Sequence, residues 1–369
     1  MMGDMYFYLN ISVLSLGSIS AWYLINYLFG IDNPLVRLIL GIIIFVLAVS
    51  TFFASFIVNK KDTLWVRIFY IISCSWLGIL LNFALTALVL SPTFWLLKLN
   101  GIHLSDELFR ILLLVITVIS SAKSFYNAHE IKVQKYVVAI KNLPTAWQDK
   151  RVIHISDVHL GPILREDFFH RVIRKIEDLK PDAVFLTGDL FDGSESDFSW
   201  VNSPLNSLNA PLGLYYSLGN HDFTLGADRV IDLLRGEDIV VLSNRMVVKE
   251  GMQIIGLDFN PDHNFDLNRA ILAHSGYSAF EPSILLFHEP KETVKSQGVG
   301  IDLQLSGHTH AGQMFPFNFL ARYFYHNHAH GLFRRGDYTL SVTAGVGTWG
   351  PPMRTGSRSE IVELTLRKK

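Results

Sequence analysis

Aspartate, histidine and asparagine recur in five short stretches of this chain: Asp157-Val-His159, Gly188-Asp189-Leu-Phe-Asp192, Gly219-Asn220-His221-Asp222, His288, and Gly307-His308-Thr-His310. Carboxylates, imidazoles and an amide oxygen are hard-to-borderline donors. They favour Mn, Fe, Zn or Mg over copper, for which soft sulfur ligands would be expected. Glycines at 188, 219 and 307 let backbone approach an ion with no Cβ in the way. Two cations about 3.5–4 Å apart can hold opposite sides of an in-line displacement, neutralise its charge and acidify a water, so no Ser or Cys nucleophile is required.

Something must aim these residues. Each stretch follows an apolar run that reads as a strand: Ile153 to Ile155, Val184 to Leu186, Tyr215 to Leu218, Leu285 to Phe287 and Leu303 to Leu305. In open α/β sheets ligands bind beyond the carboxyl ends of strands, so five such loops can converge. The full set of expected strands is Val152 to Ser156, Ala183 to Thr187, Leu214 to Leu218, Met252 to Leu257, Ser283 to Phe287, Asp302 to Ser306, Tyr338 to Thr343 and Ile361 to Leu366. Arg165 to Leu179 places Phe168, Phe169, Val172, Ile173, Ile176 and Leu179 at helical period before Pro181 stops it. Ala227 to Leu234 and Asp266 to Ala273 read as further helices, giving α/β with helices on sheet faces.

In order and spacing, the five stretches resemble the motifs of the calcineurin-like metallophosphoesterases over about residues 131 to 369. The resemblance implies a four-layer αββα sandwich holding two divalent or di/trivalent ions, manganese first among them. It places Asp157, His159 and His310 on one ion, Asn220, His288 and His308 on the other, and Asp189 between them. It sets His221 beside the scissile phosphate as electrophile or proton donor, with Asp222 able to orient it, and gives Asp192 a structural part. The run Gly307 to Gln313, with Gly331-Leu-Phe, Gly345-Val-Gly347, Pro351, Pro352 and Arg354, further resembles a branch of membrane-bound bacterial phosphodiesterases related to the alternative UDP-2,3-diacylglucosamine pyrophosphatases. Ser359 stands where that branch usually has proline.

Other signals lie close by. Phe315 to Tyr325 is unusually aromatic, which fits either a lip dipping into lipid or a cap on the domain's own core. His326, His328 and His330 alternate at strand spacing, and phosphate contact, with His330 the candidate, or simple loop polarity is favoured over a third metal. Arg354 is a candidate phosphate clamp, and His154, on the first catalytic strand, reads as a packed residue.

The first third has a different texture. Half of all residues are apolar while only 18% are charged, against about 25% in ordinary soluble proteins. The surplus lies in residues 6 to 29, 35 to 58 and 65 to 90, the last ending at Ser91-Pro92, and in a shorter run from Leu108 to Tyr126 whose Arg110 can snorkel. About 20 apolar residues span a bilayer as a helix. No Lys or Arg precedes the first run, which argues against a cleaved signal, and ionisable residues are nearly absent from the middles, which argues against a transport path.

Four spans put both termini on one side, with Lys60, Lys61, Arg67, Lys123, Lys132 and Lys135 there and Arg37, Lys98 and Arg110 opposite; positive residues then make the catalytic domain cytoplasmic. The expected division is a transmembrane helical anchor over 1–127, a linker with the first strand over 128–150, and the phosphoesterase domain over 151–369. A net charge of −1 argues against nucleic acid as partner, and the only cysteine, Cys74, permits no disulfide within the chain.

These features together describe a multi-pass inner-membrane phosphoesterase acting on a phosphodiester or pyrophosphate, its substrate a small molecule such as a UDP-diacylated sugar. Two alternatives are a tethered phosphodiesterase of soluble nucleotides and a noncatalytic membrane sensor of a phosphorylated ligand. The full ligand set speaks against the latter.

Overall fold

The computed structural model describes residues 17–58, 60–192, 197–235, 238–260, 266–291 and 298–369, with only the backbone of 267 and 268. They form two compact units, one within Met1–Tyr126 and Gly350–Met353, the other Asn127–Trp349 with Arg354–Lys369.

The first unit is helical. Residues 17–29 are helix (α1), followed by α2 (Pro34–Val58), α3 (Leu64–Leu99) and α4 (Asp106–His129). Three of these, α2 to α4, are long and apolar enough to cross a membrane. Residues 6–16 of the first apolar run lie outside the described residues. The break expected at Pro92 does not occur: α3 continues through it to Leu99, about 54 Å in all at 1.5 Å per residue. A proline deletes one N–H, and a long apolar helix tolerates that loss where the turns on both sides remain bonded. Arg110, expected to snorkel, instead donates from Nε to the Leu28 carbonyl at 3.0 Å, satisfying an orphan acceptor at the end of α1.

The second unit holds two six-stranded sheets. The first runs β1-β12-β2-β3-β4-β5 and the second β10-β11-β9-β8-β7-β6. The first comprises β1 (Lys132–Ile140), β2 (Arg151–Ile155), β3 (Ala183–Thr187), β4 (Leu214–Ser217), β5 (Ile239–Val241) and β12 (Glu360–Lys368). The second comprises β6 (Arg245–Lys249), β7 (Met252–Leu257), β8 (Ser283–Phe287), β9 (Leu303–Ser306), β10 (Gly331–Arg335) and β11 (Tyr338–Val342). Strands β2 to β5 are mutually parallel, as are β7, β8, β9 and β11, so their carboxyl ends share one edge in each sheet. β1 lies within the 128–150 stretch expected to hold a linker and the first strand, and it pairs with β12 along its whole length.

Apolar continuity explains the layering. Val152, Phe185 and Leu364 of the first sheet pack with Ile254, Leu286 and Leu305 of the second in one core. The other face of the first sheet buries Phe168, Phe169, Val172, Ile173 and Ile176 of helix α5 (Glu166–Asp178). Burying each such side chain contributes roughly 1.5–3 kcal/mol. The outer face of the second sheet packs on Ile271, from the short helix Leu267–Leu272.

Three strands escaped the sequence reading: β5 is three residues long, and β6 and β10 are half-exposed edges without a continuous apolar run. The alternating histidines are not a strand either. His326 (φ +48°) and Asn327 (φ +67°) turn the chain left-handed there.

Candidate metal centre

The five stretches meet at the carboxyl ends of β2, β3, β4, β8 and β9. Three groups of donor atoms lie within 4.8 Å of one another: Asp157, His159 and His310; Asp189, His288 and His308; and His159, Asp189 and His221. Individual approaches are close. His159 Nε2 is 3.1 Å from His310 Nε2, His288 Nε2 is 3.2 Å from Asp189 Oδ2 and from His308 Nδ1, and His310 Nε2 is 3.5 Å from Asp157 Oδ1.

The backbone that holds them is unusual. Asp157, His159, Asp189, His308 and His310 all have left-handed φ, between +48° and +69°. Outside glycine this conformation costs of order 1–3 kcal/mol per residue and persists only where the surroundings impose it. Here loop-to-loop bonds do so: Asp157 N donates to Gly188 O at 3.1 Å and His159 N to Asp189 O at 3.1 Å. Two glycines are also obligatory. A Cβ at Gly219 would strike Asp189 Oδ1, and one at Gly307 would strike Ser156 and the Asp157 carboxylate.

The donor set suits cations. Asn220 Oδ1 and His159 Nδ1 are buried without a hydrogen-bond partner among the described residues. His288 Nδ1 donates to Thr187 O at 2.7 Å, which leaves Nε2, the atom facing Asp189, free as a ligand. Burial works against charge on His288, but the Asp189 and Asp157 carboxylates outweigh it and hold the imidazole up at about 10. Burial likewise opposes charge on Asp189, yet the His288, His159 and His221 imidazoles keep its carboxyl well below the usual range. The pull at this point is for positive charge, which a metal ion meets as well as a proton does. His308 is pushed down to about 3 by burial and by His288, and His310 well down by burial, His159 and Arg354. Both stay neutral, as ligands must.

His221 stands at the rim. Its backbone N–H donates to Asp189 Oδ1 at 2.8 Å, and its Nδ1 pairs with Asp192 Oδ1 at 3.0 Å. Burial opposes the charge on this imidazole, but the Asp192 hydrogen bond and the Asp189 and Asp192 charges raise its pKa. The group expected to orient His221 was Asp222, and the structure corrects this. Asp222 is fully buried and accepts from Asp189 N and Gly219 N at 2.8 Å and from Phe191 N at 3.3 Å, joining the β3 and β4 loops. Burial and Asp189 push it up to about 6. Asp192, expected to be structural, is the carboxylate that meets His221.

Two further expectations change. Arg354 is fully buried and is no phosphate clamp. Its guanidinium donates to Gly347 O at 2.6 Å, Ala344 O at 2.8 Å, His310 O at 3.3 Å and Ser357 Oγ at 2.7 Å, tying the His310 loop to the segment after β11. His330 is engaged by Glu360, with Nε2 3.0 Å from both carboxylate oxygens. His154 is packed as read: wholly buried, 2.9 Å from Thr187 Oγ1 and pushed down to about 3 by burial. One neighbour was not foreseen. Glu289 is buried beside His308, 3.6 Å from Nε2, and pairs with Lys291 at 2.8 Å. Its only signal was its place directly after His288.

Known proteins share this arrangement of sequence. Residues 150–312 match the family model described as calcineurin-like phosphoesterase. An uncharacterized metallophosphoesterase of Campylobacter jejuni is 35% identical over 266 residues, 71% of this chain and 70% of that protein. One from Aquifex aeolicus is 33% identical over 263 residues, 69% of this chain and 98% of that protein. A transmembrane protein with metallophosphoesterase domain from Danio rerio is 32% identical over 277 residues, 70% of this chain and 62% of that protein.

Proposed function

This chain belongs to the calcineurin-like phosphoesterases, metal-dependent hydrolases, and from that premise we propose a membrane-anchored enzyme that cleaves a phosphodiester or pyrophosphate bond in a lipid-linked substrate. The observation that carries the hydrolase is the grouping of donor atoms from five separate strand ends. Asp157, His159 and His310 would hold one ion, Asn220, His288 and His308 the other, and Asp189 both, with manganese the first metal to try. Two ions there supply Lewis acidity, neutralising phosphoryl charge and lowering the pKa of water.

The chain's own residues do the rest. Asp189 keeps its negative charge between the two histidine groups. Asp192 fixes Nδ1 of His221, which leaves Nε2 to hand a proton to the leaving oxygen, and the Asp192 and Asp189 carboxylates favour the protonated imidazole against its burial. Arg354 and Asp222 reach no substrate; they hold ligand loops in place.

Support for a lipid-linked substrate comes from the segment after His310. The helix Phe317–Phe324 leaves Phe317, Phe319, Leu320, Tyr323 and Phe324 exposed, and it is capped by Tyr325, whose ring is 6.1 Å from that of His308. Trp349, also exposed, has its ring 6.3 Å from His221. A phosphate at the metals would thus have aromatic surface within reach of its apolar part, as a UDP-diacylated sugar requires. We read the two sheets and their outer helices as the four-layer sandwich of the family. We place the chain in a bacterial inner membrane by four spans, α1 completing the set, with the phosphoesterase unit cytoplasmic.

Hydrolysis of a chromogenic phosphodiester with Mn²⁺ tests the chemistry. His221→Gln is expected to lower kcat about 10²–10⁴-fold while metal content is unchanged. Asp189→Asn is expected to lose both activity and metal. Equal rates in all three proteins would end the hydrolase reading. Replacing Phe317, Phe319 and Phe324 with Ser should slow turnover of a diacylated nucleotide sugar and spare the soluble ester; equal effects on both would leave a tethered enzyme of soluble substrates.

A further inference from the structure

A second polar cavity, of about 420 Å³, lies in the phosphoesterase unit apart from the metal ligands. Its wall is drawn from Asn127 and Gln134, from Asn318 and Arg322 of the aromatic helix, and from Ser357, Arg358 and Glu360 before and into β12. Three features show that it is built to hold something.

The first is a pair of buried acceptors without donors. Asn127 is 9% exposed, and its Nδ2 is fixed by donation to Arg354 O at 3.1 Å. Its Oδ1 is buried and has no partner among the described residues, and the same holds for Asn318 Oδ1. Each such orphan is a cost to the fold unless a hydroxyl or N–H meets it.

The second is uncommitted positive charge. The Arg322 guanidinium has no carboxylate within ion-pair distance among the described residues, and Arg358 has only Glu130 at 3.9 Å. The third is that the one acid in the wall, Glu360, is already spoken for. Besides His330 it accepts from Ala344 N at 2.8 Å and Thr343 Oγ1 at 3.1 Å, and these bonds with the His330 charge outweigh burial to lower its pKa. Among the described residues its ion pair is with His330, and it makes none with either arginine.

Arg322, with no carboxylate, beside Arg358, with one long ion pair, calls for an anion, and a planar fork of N–H donors matches a phosphate best. Orphan amide oxygens call for hydroxyl donors. We propose that this cavity is a second binding site, for a phosphorylated polyol, with Arg322 and Arg358 on the phosphate and Asn127 and Asn318 on the hydroxyls. The site adjoins the catalytic loop without sharing its ligands. Ala311, next to His310, forms part of the wall, and Ser357 Oγ donates to His310 O at 2.9 Å. An occupant would thus sit against the backbone that carries a metal ligand. The same chemistry is offered by a free glycerol phosphate or by the headgroup of an anionic lipid.

The test uses the full chain in detergent, in an Asp189→Asn background so that phosphate at the metals does not contribute. Calorimetric titration with sn-glycerol 3-phosphate forms one arm, and native mass spectrometry of retained phosphatidylglycerol, against phosphatidylcholine, forms the other. Saturable binding is expected in at least one arm, weakened about tenfold or more by Arg322→Gln with Arg358→Gln, a loss of about 1.4 kcal/mol or more. Both side chains are exposed, and an unchanged melting temperature would show that the double variant is folded. Binding only in the first arm names a free metabolite, and binding only in the second names a lipid. No binding in either arm, or binding indifferent to both arginines, overturns the site.

Discussion

The two units of this chain are turned inside out relative to each other. In the phosphoesterase unit large apolar side chains such as Phe169, Phe185 and Leu286 are buried. In the helical unit Leu35, Ile42, Phe45, Trp65, Val118 and Ile119 face outward, while the interior holds Ser50, Ser73, Asn82 and Ser124. These buried polar groups bond between helices: Ser50 Oγ to Ser73 Oγ at 2.8 Å, and Asn82 Nδ2 to Ser121 Oγ at 3.1 Å and Ser124 Oγ at 3.3 Å. Such a distribution is what lipid as solvent selects, since there apolar burial yields little and small residues with interhelical hydrogen bonds supply the adhesion. One polypeptide therefore obeys two opposite rules of burial.

The sharpest way to break that contrast is to truncate apolar side chains on either side of it. Phe169 is wholly buried against the first sheet, and Phe169→Ala should cost about 3–5 kcal/mol of the phosphoesterase unit's stability. Ile119→Ala removes a comparable side chain from an outward face of α4 and should cost less than about 1 kcal/mol. Urea-induced loss of phosphodiesterase activity, with far-UV circular dichroism for the helices, reads both. Similar costs would mean that α4 faces protein and not lipid.

Charge probes the same contrast from outside. Val118 lies mid-helix in α4 and is exposed; Val118→Lys should cost about 2.5–3.5 kcal/mol of membrane insertion. Phe280, exposed to a similar or greater degree on the phosphoesterase unit, should accept Lys within about 0.5 kcal/mol. Membrane insertion of an isolated α4 segment with and without the substitution checks the first, and thermal unfolding the second. Unimpaired insertion of the Val118→Lys segment would remove α4 from the bilayer.

Legibility in the sequence follows the range of the forces involved. The ligand loops could be read because an apolar strand and the Asp, Asn or His after it are adjacent in the chain. Their left-handed backbones could not, since φ at Asp157 or His310 is imposed by loops from other strands. The Asp222 and Asp192 exchange has the same origin. In the helix Asn220–Leu225, neighbouring side chains point about 100° apart, so Asp222 turns into the core while Asp192, from the β3 loop, meets His221. Arg354 misled because an arginine's partners are here backbone carbonyls, which no residue type announces.

The smallest expected effect concerns how a buried polar group is tolerated where water is the solvent. Asp302, half-buried before β9, accepts from Ser283 N at 2.9 Å, yet burial outweighs that bond and pushes its carboxyl up to about 6. The folded state thus prefers the protonated acid. Its stabilising share is complete below the ordinary carboxylate range and is lost as pH rises through about 6, so at pH 8 the ionised group is a liability of about 1 kcal/mol after solvent screening. Asp302→Asn keeps an oxygen for Ser283 N and carries no charge at any pH. It should raise the melting temperature by about 2–4 °C at pH 8 and by much less at pH 4.5. A gain equal at both values would trace the effect to packing. A gain confined to high pH would show that the phosphoesterase unit bears its buried polar groups as a cost, where the helical unit uses Asn82 as adhesive.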